Sequence, residues 1–282
     1  MTIAITGATG QLGRLAIAAI KARAPGADLL ALVRDPAKAA DLAVPTRAFD
    51  YRQPETLAPA LQGVTVLVLI SSNDFNDRAG QHANVIAAAK AAGVGRIIYT
   101  SILKGDASPM ALLPADHIQT ETALKDSGLP FTLLRNGWYT ENYTGALGAA
   151  LEHGAIIGSA GEGRLSTASR ADYAEAIAVV ALDSGHEGKI YELAGDDSYT
   201  LADLAGEVSR QAGKTVAFVN LSEADYAKAL EGFGLPAGFA AVLADSDAAA
   251  SRGALFDDSR TLSALIGRPT TPMAETVKAA LA

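Results

Sequence analysis

Three glycines spaced three apart, Gly7, Gly10 and Gly13, follow directly on the apolar run at residues 2–6. Leu12, Leu15, Ala16, Ala19 and Ile20 then recur at positions that share one face of a helix. A strand that turns through glycines into a helix leaves the first helical N–H groups unpaired, with roughly half a positive charge at that end. An anion binds there if the backbone can be approached closely. Gly7 would permit the tight turn, Gly10 would leave room for phosphates, and Gly13 would let the helix lie close to the sheet. Thr6, Gly7, Thr9, Gly10, Gln11, Leu12 and Gly13 are therefore the candidate cradle of a dinucleotide pyrophosphate. A purely structural turn is the alternative, and the surrounding pattern has to decide between them.

That pattern repeats. Apolar stretches at residues 2–6, 29–33, 46–49, 64–70, 96–100 and 130–134 alternate with helical periodicity at about 12–20, 36 onward, 54–61, 77–92 and 114–127. Gly93 and Gly128 stand where two of these helices should stop. Strands separated by helices pair in parallel, with right-handed crossovers. The expected fold is α/β, a doubly wound parallel sheet of the Rossmann type, with its ligand crevice beyond the carboxyl ends of the strands. Residues 1–150 make the nucleotide-binding domain, with residues 165–195 extending the sheet through an apolar strand at 189–193. Residues 196–282, mainly helical at about 201–212, 223–230, 238–249 and 273–281, are expected to cover the substrate.

Composition removes several chemistries. The 282 residues include no cysteine, which excludes disulfides, thiolate metal sites and cysteine nucleophiles. The four histidines, His82, His117, His153 and His186, are too dispersed for metal-ligand spacing, so no metal site is expected. A formal net charge of −8 without a basic patch disfavours nucleic acid. No apolar stretch approaches the ~18 residues of a membrane span, and no basic segment precedes the first strand, so a cytoplasmic protein without a secretory signal or membrane partner is expected.

The end of the second strand selects the dinucleotide. An acidic residue there accepts from the ribose hydroxyl of NAD, and a basic one receives the 2′-phosphate of NADP. Arg34 holds that position and Lys38 follows one helical turn later. A guanidinium grips phosphate in a fork geometry, which favours NADPH, although Asp35 would serve NADH. Asp50 and Tyr51 follow the third strand, where Asp50 either meets the adenine amino group or opens the next helix. Ser71, Ser72 and Asn73 follow the fourth and would run beside the nicotinamide ribose. Thr100 and Ser101 end the fifth, under the nicotinamide.

The glycine loop, the Val33–Lys38 segment, the run Arg135-Asn136-Gly137-Trp138-Tyr139-Thr140-Glu141-Asn142-Tyr143 and the Ser169–Asp172 segment occur together. With them the chain resembles the NmrA-like, atypical short-chain dehydrogenase/reductase family over nearly its whole length. Within that family it is most similar to the bacterial NAD(P)H:quinone oxidoreductases and, next, to the triphenylmethane dye reductases. The resemblance implies a Rossmann domain, a small C-terminal substrate region and hydride transfer from a nicotinamide cofactor. Dimers are common in the family. It also holds redox sensors that bind NADP without turnover, which is the competing reading, and other reductases or isomerases share the scaffold.

One departure bears on the chemistry. Ordinary short-chain dehydrogenases use Tyr-x-x-x-Lys, and none of the eight tyrosines here has a lysine four residues on. A simple ketone accepting hydride becomes an alkoxide that needs a proton donor at once. A quinone becomes a phenolate-like anion, with a conjugate acid pKa near 10, and can take its proton late. Orientation then carries much of the rate. A quinone or similar flat conjugated acceptor is therefore the expected substrate. His117 is the candidate proton donor or polar orienter. Glu121, one turn on, is placed to orient it, or is merely solvated. Tyr139, with Trp138 and Tyr143, offers flat surfaces for stacking, and Asn136 can hydrogen-bond a carbonyl.

Overall fold

The computed structural model describes residues 1–282. Apart from the exposed edge segment at 46–48, the apolar runs of the first half form strands buried on both sides, as parallel strands covered by helices must be. Strand β1 (Thr2–Thr6) leads into α1 (Gln11–Arg23), β2 (Asp28–Val33) and β3 (Thr46–Ala48). There follow α2 (Pro54–Ala60), β4 (Val66–Leu69), α3 (Arg78–Ala91), β5 (Arg96–Ile102), α4 (Pro114–Ser127) and β6 (Phe131–Asn136). The remaining chain contributes α5 (Glu141–Thr144), α6 (Leu147–His153), β7 (Ala155–Gly158), α7 (Arg170–Leu182) and β8 (Ile190–Leu193). It ends with α8 (Leu201–Ala212), β9 (Ala217–Asn220), α9 (Glu223–Gly232), α10 (Ala237–Ala250), α11 (Thr261–Ile266) and α12 (Met273–Leu281).

The main sheet has seven strands in the order β3-β2-β1-β4-β5-β6-β8. The pairs from β3 to β6 are all parallel, with Ile3 opposite Leu29 on one side and Val66 on the other. This is the doubly wound Rossmann architecture expected from the alternating pattern. Strand order reverses between β1 and β4, which makes their carboxyl ends the topological switch point where ligands of such sheets bind. On one face, α2, α3 and α4 cover a core of Leu30, Leu32, Leu67, Leu69, Ile97, Tyr99 and Leu133 with Leu57, Val85, Ile86 and Leu124. The period-2 spacing of Leu67 and Leu69, and of Ile97 and Tyr99, puts those side chains on one face of their strands. Elsewhere α1 packs along α7, and α7 lies against β4, β5 and β6.

The chain divides into two compact units. The first comprises residues 1–102, 116–136 and 170–191, and holds nearly all of the main sheet. The second comprises residues 103–115, 137–169 and 192–282. It contains a two-stranded parallel sheet, β7 with β9, that the sequence pattern did not reveal. Within it, Asp245 on α10 accepts hydrogen bonds from the N–H groups of Ala111 and Leu112 and so anchors the 103–115 segment. Helix α8 begins at a capping box of Thr200 and Asp203, the reciprocal arrangement that satisfies two otherwise unpaired N–H groups.

The glycines of the first turn are required by packing. Gly7 has φ +57°, a left-handed conformation that a side chain disfavours. A Cβ on Gly13 would lie 2.4 Å from the Gly7 carbonyl oxygen and 2.8 Å from the Ala8 Cα, both rigid backbone atoms. Gly206 is the contrary case, an exposed position inside α8 with nothing within 4 Å of an added Cβ. Gly13→Ala should therefore cost about 1–3 kcal/mol, while Gly206→Ala should gain about 0.5–1 kcal/mol. Denaturant midpoints measure both, and a Gly13→Ala protein as stable as the parent would contradict the packing argument.

Candidate active site

The turn between β1 and α1 is built from its own backbone. Gly10 N–H donates to the Gly7 carbonyl at 2.9 Å, and Gly10 is the N-cap of α1 with no side chain capping the helix. No acidic residue lies in the first turn of α1. The first N–H groups thus keep their donor capacity and the positive end of the helix is not neutralised locally. Leu12 and Gly13 are buried, while Gly7, Gly10 and Gln11 face outward. Thr9 offers its carbonyl to the Arg14 side chain at 3.0 Å, and Arg14 is tied on to Asp41.

Hydroxyls stitch the neighbouring strand ends together. Thr6 is fully buried, and its Oγ1 accepts from the Ile70 N–H at 3.0 Å. The Thr100 Oγ1 accepts from the Ser71 N–H, also at 3.0 Å. The Tyr51 hydroxyl donates to the Ile70 carbonyl at 3.2 Å. These bonds hold the loop after β4 between β1 and β5. Asp50 is forked by Arg52 through two bonds of 3.0 and 2.8 Å. That contact, against the burial that opposes charge, keeps the Asp50 carboxyl below its usual range. A purine amino group would share this carboxylate with Arg52. Arg34 and Lys38 lie exposed past β2, and neither forms a salt bridge, although the Arg34 charge is near enough to help lower the pKa of the Asp50 carboxyl. Asn73 is exposed at the crest of the loop after β4.

Beneath that loop lies a polar cluster that the sequence reading missed, supplied by Arg78, Gln81 and His82 at the start of α3. The Ser72 hydroxyl donates to Gln81 Oε1 at 2.7 Å, and its carbonyl accepts from Arg78 Nε at 2.7 Å. The Ser72 N–H donates to His82 Nε2 at 2.9 Å. His82 Nδ1 lies 2.9 Å from the Thr120 hydroxyl, which donates to the Asp116 carbonyl. Ser72 is therefore held at its N–H, carbonyl and hydroxyl at once. The signal was present in the sequence, because positions 78, 81, 82, 85 and 86 share one helical face and the first three are polar. Polar residues on the buried stripe of a crossover helix mark a cluster rather than a solvated surface.

His117 and Glu121 share the buried face of α4, but with different partners. The Tyr99 hydroxyl lies 2.8 Å from His117 Nδ1. Burial, then the Arg78 guanidinium and His82, push His117 well below the usual imidazole range. Glu121 does not reach His117. Its carboxylate accepts from the Ser101 hydroxyl at 2.6 Å and is forked by Arg135 at 2.8 and 2.7 Å. Burial opposes its charge, yet Arg135 and Ser101 outweigh this and hold its pKa below the usual range. Arg135 stands beside Ser101 in the β5–β6 register and takes the carboxylate first. Asn136, the last residue of β6, is buried with both amide atoms unpaired.

The three aromatics of the 135–143 run, Trp138, Tyr139 and Tyr143, belong to the second unit. Tyr139 makes a bridge with Ala168 there. The Tyr143 hydroxyl donates to Asp247 at 2.9 Å.

A doubly wound sheet with an uncapped, glycine-opened helix start at its switch point defines the class of the chain, a nucleotide-binding α/β protein. Residues 7–184 match the NAD(P)H-binding family, and the chain belongs to that family. It is 56% identical to quinone oxidoreductase 2 of Escherichia coli over 98% of this chain and 97% of that one. The crystal structure of NADPH-dependent quinone oxidoreductase from Escherichia coli complexed with NADPH superposes with a TM-score of 0.96. It has 55% identity and covers 99% of this chain and 100% of that one. Triphenylmethane reductase of Citrobacter sp. superposes at 0.93, with 38% identity, 100% of this chain and 99% of that one. No helix is long and apolar enough to cross a membrane.

The buried imidazole of His82 has a consequence for stability. Burial and the nearby Arg78 push its pKa from 6.5 down to about 3. Between those values the unfolded chain binds a proton that the folded chain refuses. Its contribution is full above pH 6.5 and is lost as pH falls toward 3, by up to about 1.4 kcal/mol per pH unit. His117 acts in the same direction. Denaturation measured from pH 7 to pH 4 should show this decline, and His82→Gln should flatten it. An unchanged slope in the variant would contradict a neutral, buried His82.

Proposed function

We propose that the protein is an NADPH-dependent oxidoreductase that delivers hydride to a quinone or a similar flat conjugated acceptor. The observation that carries this reading is the uncapped first turn of α1, with no acidic residue in it, together with an exposed Arg34 that forms no salt bridge. The close full-length similarity to an NADPH-dependent quinone oxidoreductase supports the same assignment.

The residues present fit the cofactor. A Cβ on Gly10 would stand 3.1 Å from the Gly7 carbonyl, so the space over the turn stays clear only for glycine. The N–H groups at Gln11 and Leu12 hold the pyrophosphate, and Arg34 with Lys38 receives the 2′-phosphate. Asp50 and Tyr51 border the adenine, and Ser71, Ser72, Asn73, Thr100 and Ser101 border the ribose and nicotinamide. Bound NADPH supplies the hydride. The protein holds the ring and the acceptor in register, which is where most of the acceleration arises when the product is a stabilised anion. His117 provides a hydrogen bond to the acceptor oxygen as negative charge develops on it. Asn136 orients the acceptor, and Glu121 keeps Arg135 and Ser101 in place. We place the protein in the cytoplasm, where NADPH is maintained in its reduced form.

Loss of NADPH absorbance in the presence of a small benzoquinone, well above the uncatalysed rate, is the expected result. Tight NADPH binding without turnover would contradict the enzymatic reading. Arg34→Glu should reduce the preference for NADPH over NADH by about tenfold or more. An unaltered ratio of the two kcat/KM values would remove Arg34 from cofactor selection.

A further inference from the structure

Two buried histidines lie within the same polar cluster, and the hydrogen bonds around them determine where each proton sits. The Ser72 N–H can only donate, so His82 Nε2 accepts and carries no proton. A neutral imidazole carries one N–H, which places the His82 proton on Nδ1, pointing at the Thr120 hydroxyl. The Thr120 hydroxyl spends its own proton on the Asp116 carbonyl and so is free to accept. His117 presents the opposite case. The Tyr99 hydroxyl is fully buried and lies 2.8 Å from His117 Nδ1, with the Thr120 hydroxyl its other polar neighbour. Thr120 already faces His82 and donates to the Asp116 carbonyl. A buried hydroxyl proton left unmatched is costly, so Tyr99 donates to Nδ1, with which it is in hydrogen-bond geometry. The single proton of His117 is therefore on Nε2, which has no partner within the chain.

From this geometry we infer that Tyr99 is a positioning residue that fixes His117 as a neutral Nε2–H donor, while His82 is fixed as the opposite tautomer. The inference rests on the reading of His117 as the group that meets the acceptor oxygen, and adds to it the form in which His117 acts. A neutral imidazole donates a hydrogen bond to a developing oxyanion and keeps its proton through the step. The hydroquinone anion then takes its proton from water. The accounting closes, because two electrons and one proton arrive as hydride and the second proton comes from solvent.

The groups facing these rings oppose protonation of either one. Arg78, from α3, lies close enough to depress both histidines, and each ring adds to the other's surroundings across Tyr99 from β5. The acidic neighbours on α4 are already engaged, Asp116 with Arg78 at 3.8 Å and Glu121 with Arg135 at 2.7 Å. The two tautomers are further set by the fold itself. Tyr99 belongs to the sheet core, packed edge-on against His82 at 5.4 Å between ring centroids.

Long-range proton–nitrogen correlation spectra of the 15N-histidine-labelled protein read each tautomer directly, without substrate. The expected spectrum shows two neutral rings of opposite type, His117 protonated at Nε2 and His82 at Nδ1, unchanged from pH 5 to pH 8. A His117 ring protonated at Nδ1, or one titrating near pH 6.5, would overturn the proposal whether or not the protein reduces quinones. Tyr99→Phe should release the lock, giving a mixed His117 tautomer signal and a kcat for benzoquinone lowered about tenfold at unaltered NADPH affinity. A Tyr99→Phe protein with the parental tautomer and parental kcat would also overturn it. If wild-type turnover is absent while the spectrum is as expected, the assignment of His117 to catalysis fails and the tautomer assignment stands.

Discussion

The close approach of α1 to the turn that precedes it is the contact on which the rest depends. Gly13 sits so near the Gly7 carbonyl and Ala8 Cα that any side chain would push the helix away. With glycine there, the helix start is drawn down against the carboxyl end of β1. Its first N–H groups are left without side-chain caps and without acidic neighbours. A helix end of this kind has unmet donors and a partial positive charge. It is therefore less costly to complete with an anionic ligand than to leave hydrated. The switch point of the sheet places that end beside the loops after β4 and β5, so a nucleotide seated by its phosphates has its far end directed along them.

Those loops are unusually well supported. Ser72 is bonded at three positions by residues of α3, and Ser71 is bonded to Thr100. The support consists of buried polar side chains, including Arg78, His82, Thr120 and Glu121. Burying such groups costs several kcal/mol unless they are paired, and here most of them are. A cheaper apolar core would have held the strands together equally well but would have left Ser72 free to move. The polar cluster converts core packing into fixed directions for N–H and O–H groups, which is what a site that works by orientation requires.

Much of this was legible from the sequence, for identifiable reasons. Strands β1, β2, β4, β5 and β6 announced themselves because both faces are buried, giving continuous apolar runs, and because helical periodicity interrupts them; β3 is a short, exposed edge strand. The glycine turn was legible because it acts within a few residues of its own position. Strands β7 and β9 were not, because each is only four residues long, lies in half-exposed surroundings and pairs across about sixty residues of chain. Helix α5 was hidden because it starts inside the 135–143 run, whose aromatic residues suggest stacking surfaces. Helical spacing offered Glu121 either His117 or solvent, whereas strand register brings Arg135 alongside Ser101 and captures it. Pairings set by register are invisible to spacing arguments. The polar stripe of α3 was visible in principle, since Arg78, Gln81 and His82 fall on the same face as Val85 and Ile86.

Amide spectroscopy of the 15N-labelled protein titrated with NADPH tests the central claim most directly. The account predicts that the backbone N–H resonances of Gln11 and Leu12 move furthest, with saturation at one equivalent. Binding that leaves those two amides unmoved while others shift would contradict it, because the nucleotide would then be held somewhere other than at the start of α1.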